Sequence, residues 1–79
     1  MSKIFYVLKS FDNETILCRD ENISMIKEVF RLERSHNPHN YDFYYLYLYD
    51  NETNVCIDGF CGTYWEIYNE IDQELSREL

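Results

Sequence analysis

A chain of 79 residues holds one small domain and has no room for a second core. Apolar residues make up 46% of it, which argues against disorder, while 15 acids against 7 bases leave a net charge of -8 that repels a phosphate backbone. No apolar run approaches the about 20 residues of a membrane helix and no basic-then-apolar leader opens the chain, so a cytoplasmic location without membrane contact is expected.

The first predicted element is a strand from Lys3 to Phe11, rich in aromatic and branched residues. Asp12-Asn13-Glu14-Thr15 then turns the chain, because Asp and Asn bond their own backbone and tolerate left-handed angles. A return strand covers Ile16 to Asp20. A helix opens near Asn22, with Met25, Ile26, Val29, Phe30 and Leu32 on its apolar side. Ser35-His36-Asn37-Pro38-His39-Asn40 holds the only proline and reads as the connecting loop. A third strand runs from Asp42 to Tyr49, Asp50-Asn51-Glu52-Thr53 makes the second turn, and Asn54 to Asp58 returns. From about Gly62 to Glu78 a helix carries the stripe Tyr64, Ile67, Tyr68, Ile71 and Leu75.

The turn tetrapeptide occurs twice at an offset of thirty-eight residues. The same offset matches Phe5 with Phe43, Tyr6 with Tyr44, Leu8 with Leu46, Cys18 with Cys56, Asp20 with Asp58 and Glu28 with Glu66, and lays Tyr64, Ile67 and Tyr68 on Ile26, Val29 and Phe30. One domain spanning residues 1–79 and made of two ββα repeats, about 3–34 and 41–79, is therefore expected. A single ββα unit cannot bury its apolar face alone, so the two share a core. The fold class is α+β: a four-stranded, antiparallel-type sheet of order 2-1-3-4 with both helices on one face.

Alternation sends Tyr6, Leu8, Tyr44, Leu46 and Leu48 to the helix side. Phe5, Val7, Lys9, Phe11, Phe43, Tyr45, Tyr47 and Tyr49 go to the open side, a broad aromatic surface. Three cysteines without a secretory leader read as reduced thiols, with Cys18 and Cys56 at equivalent sheet positions.

Charge divides unequally. Residues 1–38 carry six acids and six bases, whereas residues 39–79 carry nine acids and only Arg77. On the second helix Glu66, Glu70, Glu74 and Glu78 recur every four residues, about 6 Å apart along one edge. Like charges at that spacing, with acids in the last turn, work against the helix, so local stability does not explain them.

A regular row of carboxylates can imitate nucleic-acid phosphates in a basic groove, with fast, salt-sensitive association. The leading expectation is a non-enzymatic inhibitor or regulator of a basic, nucleic-acid-handling protein. Its binding residues are Glu66, Glu70, Asp72, Glu74 and Asp58. In size and charge alone the chain resembles phage-encoded inhibitors of bacterial nucleases and anti-CRISPR proteins, a resemblance that carries no motif and transfers no residues.

The competing expectation is a homodimeric structural or assembly module that associates through Phe43, Tyr45, Tyr47 and Tyr49. Direct nucleic-acid binding on those rings is opposed by the charge. No nucleophile-base spacing or phosphate-binding glycine loop suggests an enzyme or a cofactor. A zinc site from His36, His39, Cys56 and Cys61 has irregular spacing, so no metal is expected.

Overall fold

The computed structural model of the chain describes residues 3–36 and 43–78. In chain order it contains β1 (Ile4–Lys9), β2 (Ile16–Asp20), α1 (Ile23–His36), β3 (Tyr44–Asp50), β4 (Cys56–Gly62) and α2 (Tyr64–Glu78). The strands form one antiparallel sheet in the order β2-β1-β3-β4. With two helices on it, the fold is α+β.

The seam is the β1–β3 pairing, from Ile4 opposite Asp50 to Lys9 opposite Tyr45. Its period-two pattern turns Tyr6, Leu8, Tyr44, Leu46 and Leu48 into a single core with Ile23, Ile26, Phe30, Tyr64, Ile67 and Ile71 from the helices. Phe30 is the joint of that core. Its ring stands edge-on to Tyr44 at 4.9 Å and stacks on Tyr64 at 4.4 Å.

Both helices begin at side-chain caps. Asn22 Oδ1 accepts the N–H of Ser24 at 3.0 Å, and Glu66 Oε1 accepts the N–H and hydroxyl of Thr63 at 3.1 and 3.0 Å. Thr63-Tyr64-Trp65-Glu66 is a capping box, so α2 starts at Tyr64 and not at Gly62. On α1 the apolar side is rotated from its expected place. Ile23, in the first turn, is fully buried, whereas Met25 and Leu32 are 48% and 58% exposed. The end of α1 reaches Ser35 and His36, which were expected in the loop; the rest of that loop, with His39, lies outside the described residues.

Each half runs strand, hairpin turn, strand, helix, and the features that correspond stand at other offsets than the one the identities suggest. Each hairpin closes over four residues, 11–14 after Ser10 and 51–54 after Asp50, with Ser10 N–H donating to Thr15 O and Asp50 N–H to Val55 O. Each return strand carries one extra residue, Leu17 in β2 and Ile57 in β4, where the register shifts. These counterparts stand forty residues apart, and Ile23, Ile26 and Phe30 match Tyr64, Ile67 and Ile71 at forty-one. The thirty-eight-residue alignment is therefore corrected: Cys18 lies opposite Leu8 on the helix side, whereas Cys56 lies opposite Tyr49 on the open side.

What the repeated tetrapeptide shares is its aspartate. Asp12 Oδ1 accepts the N–H groups of Glu14 and Thr15, both at 2.9 Å, and Asp50 Oδ1 those of Glu52 and Thr53 at 2.8 and 3.3 Å. The left-handed residue is Asn13 in one turn and Asn54 in the other, each at φ 58°, so Asn51 does not repeat the role of Asn13.

The bonds from the Thr15 and Glu14 N–H groups, then from the Thr15 and Ser10 hydroxyls, hold the Asp12 carboxyl well below the usual carboxylate range. A depressed folded-state pKa means stability that is complete above the unfolded value, about 3.9, and lost as pH falls below it. Asp12→Asn should therefore flatten the acid limb of stability against pH relative to wild type, as read from urea midpoints between about pH 5 and 2. Parallel acid limbs would refute this.

Candidate functional site: the acidic flank of α2 and the edge of β4

The acids expected to bind a partner do not form one exposed row. Glu66 lies over the end of β4, so close that a Cβ on Gly62 would stand 2.9 Å from its own Cβ. Its carboxylate is exposed, and the Thr63 N–H and then the Thr63 hydroxyl lower its pKa. Glu70 follows one turn later on the same side, half-buried. Glu74, the next member, is turned inward: it is 5% exposed and takes Arg77 Nη1 at 2.8 Å. Asp72 belongs to the other side of the helix, where Lys27 Nζ meets it at 3.0 Å across the α1–α2 seam. The side chain of Glu78 lies outside the described residues.

Asp58 completes the group from β4. It lies opposite Leu48 on the helix side of the sheet and is exposed, with Oδ1 accepting the N–H of Gly59 at 2.8 Å. Among the described residues, Asp58, Glu66 and Glu70 form no ion pair. Four-residue spacing puts carboxylates on one side of a helix, yet it is the fall of that side toward the core that hides Glu74. The capping box was readable in the sequence and would have shown that Glu66 already has local partners.

Five of the six bases of the first half are taken up within the molecule; the sixth, Lys3, is exposed. Arg19 lies over the Phe5 ring at 4.3 Å, Lys9 over Tyr47 at 5.3 Å, and Arg34 over Tyr64 and Trp65 at 4.6 and 5.3 Å. Lys27 adds a contact with the Tyr68 ring at 5.1 Å, and the hydrogen bond it donates to Asp72, then the one it shares with Tyr68, raises its pKa. Arg31 pairs with Glu28 at 3.3 Å.

These contacts also alter the open face. Phe5 stacks on Tyr49 at 5.1 Å and is buried, as is Val7. Tyr45 and Tyr47 are parallel at 6.4 Å, Tyr47 contacts Tyr49 at 6.5 Å, and the Tyr47 hydroxyl donates to Asn13 Oδ1 at 2.9 Å. Much of the aromatic surface is thus covered by its own members, leaving Phe11, after β1, and Phe43, before β3, as its most open rings at 64% and 49% exposure. Between Tyr45 and Tyr47, above Gly59, Phe60 and Cys61, runs an open groove of about 240 Å³.

Among the described residues no group of three or more His, Cys, Asp or Glu side chains could hold a metal, and no helix is long and apolar enough to cross a membrane. No protein family, curated protein or solved structure matches the chain.

Proposed function

We propose that this chain is a non-enzymatic inhibitor or regulator that docks a basic, nucleic-acid-handling protein on the flank formed by Asp58, Glu66 and Glu70. The observation that carries the reading is the segregation of charge. Five of the six bases on the first half are engaged by rings and acids of their own molecule, while these three carboxylates meet no base among the described residues. A basic partner gains from them a faster encounter. Glu74 and Asp72, already paired, support the flank rather than contact the partner. The homodimeric alternative is supported less, because Phe5 and Val7 on the open face are already buried within one copy.

The test is the variant Asp58→Asn with Glu66→Gln and Glu70→Gln, compared with wild type by affinity capture of nucleic-acid-handling proteins across a salt series. Glutamine at position 66 retains the capping acceptor, so the fold survives. Capture should weaken by about a hundredfold at low salt, through slower association, and its salt dependence should flatten. Equal capture by both proteins removes the reading.

A further inference from the structure

An edge strand leaves the N–H and C=O groups of its outer side without a strand partner, and such a row is a template for one more strand. The two edges of this sheet differ. β2 is five residues long and carries Arg19. β4 is seven residues long, contains no base, and is exposed at Cys56, Ile57, Asp58, Gly59 and Cys61. The two faces beside β4 also differ. On the helix side stand Asp58 and, over Gly62, Glu66; on the open side lies the groove between Tyr45 and Tyr47. Asp58 guards the middle of the strand by occupying the Gly59 N–H.

We infer that β4 accepts an extended basic segment of the partner protein as a fifth strand. This rests on the preceding reading that the flank receives a basic protein, and it names the form in which that protein arrives. Successive side chains of an extended segment point to opposite faces. One set, lysine or arginine, meets Asp58, Glu66 and Glu70, and the alternate set, apolar, enters the groove above Gly59 and Cys61. A cation that pairs with Asp58 draws its carboxylate from Gly59 and frees that N–H for the incoming backbone. A second copy of this chain is unsuited to the edge, because pairing β4 with β4 would bring two acidic flanks together. An uncharged strand would leave Asp58 in place.

The test titrates the full chain, 15N-labelled, with two synthetic peptides of nine residues that alternate lysine and valine. In one of them the backbone nitrogens of the central five residues are methylated, which keeps charge and pattern but removes the donors. The unmodified peptide should shift amides of Cys56 to Gly62, leave those of Ile16 to Asp20 in place, and bind at least about tenfold more tightly than the methylated one. Asp58→Asn, which retains the acceptor that holds Gly59 but loses the charge, should weaken the unmodified peptide by about tenfold.

Equal binding of the two peptides overturns strand addition. If that binding still falls with Asp58→Asn and Glu70→Gln, the acidic-flank reading survives. No binding by either peptide overturns both. Shifts centred on β2, or a concentration-dependent dimer in sedimentation with its shifts in β4, also overturn the inference.

Discussion

Phe30→Ala is expected to cost about 3–5 kcal/mol, the largest loss of any single truncation proposed for this fold. A chain of this length holds about 4–12 kcal/mol of total stability, at roughly 0.05–0.15 kcal/mol per residue, so the variant should be at or near the edge of unfolding. The reason is position as much as size. Phe30 is fully buried and touches Tyr44 of the sheet and Tyr64 of α2, so its removal opens a cavity where both helices and the central seam meet. Leu32→Ala, two residues along the same helix, removes a side chain that is largely in water and should change stability by no more than about 0.5 kcal/mol. Urea unfolding followed by circular dichroism separates the two. Similar midpoints would show that Phe30 does not carry the core.

The second large effect is expected at a glycine. Ala is ordinarily the better residue in regular structure by roughly 0.5–1 kcal/mol, yet Gly62→Ala should destabilise by about 1–3 kcal/mol. The new methyl carbon would stand 2.9 Å from Glu66 Cβ and 3.1 Å from its Cδ, inside the capping box. Glu66 Cβ is fixed to the helix backbone, so relief requires moving the first turn of α2 away from β4. Gly59→Ala makes the control. Its contacts, at 3.0 and 3.1 Å, are with the Tyr47 ring, which can tilt on its own side-chain bonds, and its cost should be well below that of Gly62→Ala. If thermal unfolding places Gly62→Ala at or above wild type, the contact between Glu66 and β4 is looser than the structure has it.

Both variants probe what the sequence made legible and what it did not. The strands of the seam were readable because Tyr6, Leu8, Leu46 and Leu48 alternate with open-face residues, and a period of two survives any error at the strand ends. The strand order followed from the need of two ββα units to share one core. β4 was misplaced because Cys56-Ile57-Asp58-Gly59-Phe60-Cys61-Gly62 has little alternation of its own; pairing with the tyrosine-rich β3 extends it as far as Gly62. The apolar side of α1 was misjudged because Ile23 sits directly after the cap, where a search for three- and four-residue steps has no earlier member to start from.

The acidic row shows the same limit from another side. Spacing puts Glu66, Glu70 and Glu74 on one side of the helix, but it carries no information on how far that side turns toward the core. Burial of Glu74 depends on the angle at which α2 lies on the sheet, and that angle is set by contacts of Tyr64, Ile67 and Ile71 with residues far away in sequence. The thirty-eight-residue identities misled for a related reason. They record where Asp-Asn-Glu-Thr falls along the chain, whereas hairpin closure and the extra residues Leu17 and Ile57 fix where the backbones correspond.

The placement of the three thiols sets what oxidation can do to this molecule. Cys56 and Cys61 lie on one strand, about 16 Å apart at the rise of an extended chain, and Cys18 is on the opposite edge strand, about 14 Å or more across the sheet. A disulfide needs Cα atoms within about 7 Å, so no pair among them can close without unfolding the sheet. Burial, and then the nearby Asp20 charge, also push the Cys18 thiol pKa up, which keeps it the least reactive form, while Cys56 and Cys61 are exposed. An oxidant therefore finds nothing to staple inside one copy, and any disulfide that forms in the folded protein joins it to another molecule.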